Sequence, residues 1–336
     1  MSSTAARRII RWIGKALLWS IVALLALAVL GASYQAIATE RAERAYPPPG
    51  EVVDVGGHGL HIECIGRGSP TVILESGLGN MSADWANVQP EAAKTTRVCA
   101  YDRAGMGWSE QGPEPRDARQ ISGELHALLT KAGIEGPYVL VGHSTGGLYA
   151  RMYADRYPDE VAGVVLVDSS HPEQFTRSAQ GRKYYEPTRR LVTIAPWLAR
   201  LGVIRLFGLD PAPYGLPPKQ RARVEAFGSL TQQFATAAEE FRAILDTSAQ
   251  VRSTNGLGDR PLVVISAGER SPGTFSSSYW LELQDELAAL SSNSLHRVVE
   301  GATHESLLFE KHDAWVTGAA ILEVVDAVRN NQPLAR

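Results

Sequence analysis

The residues with the clearest chemical potential are grouped around Ser144, in the run Gly142-His143-Ser144-Thr145-Gly146. A serine hydroxyl becomes a useful nucleophile only when a base can take its proton and hydrogen-bond donors can receive the negative charge that follows. A GxSxG run alone is a weak signal, but this one follows an apolar stretch at residues 138–141 and opens a helical pattern. A turn from strand to helix of that kind holds the serine in a tight backbone position that small neighbours permit, with its hydroxyl exposed at the end of a sheet. The expected base is His304, in Gly301-Ala302-Thr303-His304, directly after the last strand pattern and downstream of the serine. His126 lies in a helical pattern, His171 opens a long insertion, His296 is inside a strand pattern and His312 starts the final helix, so these read as surface or packed imidazoles. His143 is expected to point away on the other side of the turn and to shape the pocket. For the oxyanion, Ser76-Gly77-Leu78-Gly79 follows the apolar run at residues 71–74. Its backbone can approach a substrate closely, and the N–H groups of Leu78 and Thr145 are the expected pair of donors.

Positioning these groups needs a sheet. Residues 51–55 and 60–65 read as a hairpin around Gly56, Gly57 and Gly59. Apolar, β-branched runs follow at 71–74, 97–101, 138–141, 161–167, 262–266 and 296–299. Several are apolar at every position, the pattern of central parallel strands covered on both faces. Helical patterns at 117–132, 146–155, 279–289 and 313–328 alternate with them, so the fold class is α/β. The 94 residues between the strand ending at Val167 and the one starting at Leu262 contain no convincing strand. Helical patterns at 187–206, 218–227 and 231–251 make this an inserted cap, at about residues 172–258, since an unstructured loop of that length would be exceptional in a compact domain.

The chain has 336 residues and 33 Lys plus Arg against 36 Asp plus Glu, a formal charge of −3. With 44% hydrophobic and 21% charged residues it can bury a core. No basic run marks a nucleic-acid face, and two cysteines cannot build a thiolate zinc site, so neither nucleic acid nor metal is expected. The basic residues that cluster, Arg7, Arg8, Arg11 and Lys15, precede 23 uncharged positions at residues 16–38. At about 1.5 Å per residue that run reaches roughly 34 Å, enough for a hydrocarbon core of about 30 Å. The expected organisation is a basic cytoplasmic segment (1–15), a transmembrane signal anchor (16–38), a proline-rich linker (39–50) and a folded domain (51–336) outside the cytoplasm. Ala36-Ile37-Ala38 also fits a cleavage site, which leaves a cleaved signal peptide and a secreted domain as the alternative.

Together the elbow, the late histidine, Tyr101-Asp102-Arg103-Ala104-Gly105-Met106-Gly107-Trp108-Ser109 and Val167-Asp168 resemble the α/β-hydrolase superfamily over essentially all of residues 51–336. The resemblance implies an eight-stranded, mostly parallel sheet with a helical cap after strand six, and a Ser-His-acid triad that uses no cofactor. Most members place the acid as an Asp shortly after strand seven, where this chain has Gly268-Glu269-Arg270-Ser271, with Ser271 at the expected position. Asp168, at the end of strand six, resembles the acid of the haloalkane-dehalogenase-like branch and is the favoured candidate; Glu269 is the alternative. The implied strand order makes strands two and four neighbours, so Cys64 and Cys99 form a candidate disulfide in an oxidising compartment.

Serine at the elbow favours hydrolysis of a carboxylic ester over dehalogenase or epoxide-hydrolase chemistry. Amide, thioester, carbon–carbon and perhydrolase reactions stay open, as does a non-catalytic, membrane-tethered binding module. The expected partners are a small, apolar ester and, through the N-terminal helix, a membrane; oligomeric state is unknown. Trp197, Leu201, Val203, Ile204, Leu206 and Phe207 in the cap are expected chiefly to pack onto the main domain, the other readings being an acyl pocket or the bilayer.

Overall fold

The structure, a computed structural model, describes residues 3–209, 215–270 and 274–335. Eight strands, β1 (Glu51–Asp54), β2 (Gly59–Ile65), β3 (Thr71–Glu75), β4 (Val98–Tyr101), β5 (Tyr138–His143), β6 (Val161–Val167), β7 (Leu262–Ala267) and β8 (Ser294–Val299), form one sheet in the order β1-β2-β4-β3-β5-β6-β7-β8. β1 and β2 run antiparallel to their neighbours, and from β4 to β8 every pairing is parallel. Cys64 and Cys99 face each other across the β2–β4 ladder and are joined by a disulfide.

Both faces of the sheet are covered, which explains the unbroken apolar runs. Val72, Val139, Val141, Val165 and Val263 belong to one core, while Ile73, Leu140, Val164, Leu166 and Val264 belong to the other. Adjacent side chains on a strand point to opposite faces, so each apolar residue still finds a partner layer.

Among the described residues there are twelve α-helices: α1 (Ser3–Ala45), α2 (Gln89–Ala92), α3 (Ala118–Lys131), α4 (Gly146–Arg156), α5 (Ala179–Arg200), α6 (Val203–Phe207), α7 (Pro218–Gly228), α8 (Thr231–Arg242), α9 (Ile244–Arg252), α10 (Ser277–Ala288), α11 (Ser306–Phe309) and α12 (Lys311–Asn330). The insertion between β6 and β7 is helical, as expected, but its divisions differ. α5 begins eight residues before Pro187, because the Ser178 side chain caps it by accepting from Gly181 N–H at 2.9 Å. Gly202, in the left-handed region at φ 71°, separates α5 from α6. The expected helix over 231–251 is two helices that meet at Ala243.

The start of the linker, expected at residue 39, is also corrected. α1 runs on to Ala45, because Thr39 to Arg44 can continue a helix and Glu40 pairs with Arg44 one turn later at 2.5 Å. The linker is therefore residues 46–50. From Arg7 to Ala45 this helix is long and apolar enough to cross a membrane. Trp197, Leu206 and Phe207 do not pack onto the main domain as expected; they are 64%, 66% and 68% exposed, whereas Ile204 is buried.

Candidate active site

Ser144 sits between the end of β5 and the start of α4 with φ 54°, one of three non-glycine residues with positive φ among those described. Its N–H donates to Val167 O at 3.2 Å, and its carbonyl accepts from Gly147 N–H at 3.1 Å and Ser170 N–H at 2.9 Å. The glycines on either side are needed for space. A Cβ at Gly142 would lie 2.5 Å from Gly147 Cα, and one at Gly146 would lie 2.3 Å from Glu75 O. Backbone atoms cannot yield as a side chain can, so the turn closes only with glycine there.

Asp168 also has positive φ, 40°, at the end of β6, and it is fully buried. Its Oδ2 lies 2.5 Å from His304 Nδ1 and accepts from Arg270 Nη1 at 2.7 Å. Its Oδ1 accepts from Trp280 Nε1 at 2.7 Å and from Ala267 N–H at 3.0 Å. Burial by itself would raise the Asp168 pKa, but the His304 hydrogen bond, the Arg270 charge and the Trp280 N–H outweigh it and hold the carboxyl below the usual range. Glu269 is exposed, and its backbone N–H donates to Ala302 O. Ser271 lies outside the described residues.

Ser144, Thr145, His304 and Leu78 line one cavity of about 160 Å³, with Phe241 and Phe275 among its aromatic walls. Among the described residues, the backbone N–H groups of Leu78 and Thr145 have no acceptor. A second, larger cavity of about 410 Å³ lies against the first, sharing Leu78 and Glu305 with it. Its walls include Val192 and Ala195 of α5 and Phe234 and Ala237 of α8.

His143 is buried beside His304, with ring centres 4.5 Å apart. Burial, followed by the neighbouring His304, pushes its pKa down to about 3. A neutral ring with Nε2 3.1 Å from His304 O must carry its proton there, donating to that carbonyl. His143 therefore braces the backbone of His304 as well as filling space. The remaining expected bystanders stay outside the Ser144 cavity. His126 stacks on Tyr157, His171 is buried near Glu286, His296 bridges Ser266 and Asp285, and His312 lies exposed on α12.

Several supporting residues were not anticipated. Arg270 and Trp280 fix Asp168, and the Arg270 guanidinium lies over the Trp280 ring at 4.4 Å. Arg103 donates to Glu75 Oε1 at 2.8 Å, to the carbonyls of Ser76 and Gly77, and to Glu240 of α8 at 2.8 Å. It thereby ties the loop carrying Leu78 to the cap. Burial raises the Glu75 pKa to about 7, against the pull of the Arg103 charge and of the hydrogen bonds that Tyr101 and Arg103 donate to it. The YDRAGMGWS run was the only sequence signal for this brace; nothing local marks Arg270 or Trp280.

The sheet order, the elbow and the helical insertion define an α/β hydrolase, and the family's sequence profile, described as alpha/beta hydrolase fold, matches residues 70–311. The chain belongs to that family. An uncharacterised protein of Schizosaccharomyces pombe is 29% identical over 73% of this chain and 50% of its own length. The uncharacterised YqjL of Bacillus subtilis is 25% identical over 74% of this chain and 81% of its own. Several other curated relatives are matched over less than half of their length, among them YbdG of B. subtilis, over 39%. Among solved structures, an esterase of Thermogutta terrifontis superposes with a TM-score of 0.62 at 21% identity, covering 83% of this chain and 98% of that one. A Pseudomonas aeruginosa protein named as an epoxide hydrolase gives 0.66 at 15%, covering 83% and 96%. Likenesses at such identities show the shared fold.

Proposed function

We propose that this chain is a membrane-anchored serine hydrolase of carboxylic esters, with Ser144 as nucleophile, His304 as base and Asp168 as acid. The observation that carries this reading is the 2.5 Å contact between Asp168 Oδ2 and His304 Nδ1, on a histidine lining the same cavity as a serine held at positive φ. In the reaction, His304 Nε2 takes the proton of Ser144 Oγ as that oxygen attacks the ester carbonyl. The backbone N–H groups of Leu78 and Thr145 receive the oxyanion, and the proton passes from His304 to the departing alcohol. Water, deprotonated by the same imidazole, then releases the acid and restores Ser144. Asp168 holds the ring with its proton on Nδ1 and stabilises it when charged. The basic residues before α1's apolar run favour a cytoplasmic N-terminus and a catalytic domain on the other side.

A fluorophosphonate probe, which phosphonylates an activated serine, tests the reading directly. The wild type is expected to label at Ser144 and to hydrolyse p-nitrophenyl esters, and Ser144→Ala is expected to lose both while unfolding at the same urea concentration. Absence of labelling and of turnover in the folded wild type would support a binding module instead.

A further inference from the structure

The helix α1 does not merely precede the catalytic domain; it is packed into the cap. A Cβ at Gly31 would lie 2.3 Å from Leu201 O, and one at Gly202 would lie 2.9 Å from Gly31 O, so the two backbones are in direct contact. One turn later, Gln35 Nε2 donates to Ser229 O at 2.7 Å, and Arg205 Nε donates to Gln35 Oε1 at 3.2 Å. These contacts fall inside the uncharged run of residues 16–38. Gly31 is seven residues before its end, roughly 10 Å along the helix. The run exceeds a typical hydrocarbon core by only about 4 Å, so with the whole run in use Gly31 lies on the order of 6 Å below the hydrocarbon surface. Sliding the helix outward by that distance of about 6 Å would draw Lys15 below the opposite hydrocarbon surface, where a charged side chain is disfavoured.

With α1 seated in this way, whatever touches Gly31 enters the membrane as well. The cap surface around that contact is built for it. Leu191, Ile194 and Trp197 follow one another along α5 and are 67%, 53% and 64% exposed, and Leu206 and Phe207 of α6 continue the apolar surface. Residues 178–209 hold six basic side chains against one acidic, Glu186. An amphipathic helix with exposed tryptophan and leucine and a basic remainder is the composition that lies in a bilayer interface, its apolar side buried by about 5–10 Å. Leu191 joins this surface to the interior, because it also lines the 410 Å³ cavity that abuts the Ser144 cavity at Leu78 and Glu305.

We infer that the apolar face of α5 and α6 is seated in the outer part of the leaflet crossed by α1, and that the larger cavity receives the acyl chain of a membrane-borne ester from the side lined by the exposed Leu191. The seat rests on the membrane-crossing α1 of the function proposed above and on its packing against the cap; the ester rests on the chemistry proposed there.

The full chain reconstituted in vesicles of phosphatidylcholine and phosphatidylglycerol tests both parts. Lipids brominated near the headgroup end of the acyl chain are expected to quench Trp197, read as the emission that wild type has and Trp197→Phe lacks. A Trp197→Ser/Phe207→Ser variant, altered only at exposed positions, is expected to hydrolyse water-soluble p-nitrophenyl acetate within about twofold of wild type but a long-chain acyl ester carried in the vesicles about tenfold more slowly. Trp197 shielded from brominated lipid overturns the seat, and cross-linking of that face to a second copy would identify what covers it instead. Equal turnover of the vesicle-borne ester by variant and wild type overturns the substrate route. Quenching of Trp197 in a wild type that hydrolyses no ester supports the seat and overturns the ester reading.

Discussion

Asp168 and Glu269 are distinguished by their surroundings. Asp168 is buried and accepts four hydrogen bonds, one of them from His304 Nδ1, whereas the Glu269 side chain is exposed. Asp168→Asn is expected to lower kcat by on the order of 10³ to 10⁴, because an amide there no longer holds the proton on Nδ1 or stabilises the charged ring. Glu269→Gln is expected to stay within a few-fold of wild type, and steady-state kinetics on one activated ester compares the two. His143 makes a different prediction, about pH. Its folded pKa, about 3, is far below the ordinary 6.5, so between those values the unfolded chain binds a proton that the folded chain refuses. That contribution is complete above pH 6.5 and is lost as pH falls toward 3, by up to about 1.4 kcal/mol per pH unit. His143→Gln keeps a donor for His304 O and does not titrate, so its stability is expected to fall less than that of wild type between pH 7 and 5 in urea unfolding. A variant as acid-sensitive as wild type would place the His143 proton uptake elsewhere.

At the scale of elements, the turn from β5 to α4 is the least tolerant. Gly146→Ala drives a methyl to within 2.3 Å of Glu75 O, so either α4 or β3 must shift. Destabilisation of about 1–3 kcal/mol is expected, together with a loss of turnover larger than that instability explains, since Ser144 moves with the turn. Chemical unfolding and single-ester kinetics on the same preparation separate the two effects. This turn was legible from sequence because its glycines, the apolar strand before it and the helix after it are contiguous. The sheet was legible for a similar reason: strands such as Val161–Val167, buried between two helical layers, have no polar face to confuse with anything else. Arg270 and Trp280 were not legible, since their meaning depends on reaching Asp168 about a hundred residues earlier, and no local period records such a meeting. The start of α5 was missed because Pro187 resembles a first-turn proline, while the cap at Ser178 sets the true beginning.

For the whole molecule, packing bears more than hydropathy does on whether α1 stays attached or is removed after Ala38. A cleaved signal peptide owes nothing to the mature fold, yet Gly31 is seated against Leu201 and Gln35 is buried between Ser229 O and Arg205. Removing residues 1–38 would strip the partner from the Ser229 carbonyl, take an acceptor from Arg205 and uncover the apolar surface beside them. It would also leave Trp197, Leu206 and Phe207 on a domain with no membrane attachment, an exposed apolar patch of the kind that aggregates. The expected outcome is an uncleaved helix: after expression with a C-terminal tag, the protein stays in the membrane pellet through alkaline carbonate extraction, and intact mass shows a chain that retains residues 16–38. A carbonate-soluble protein beginning at Thr39 and still monomeric would show instead that the contacts of Gly31 and Gln35 are dispensable and that α1 serves only for export.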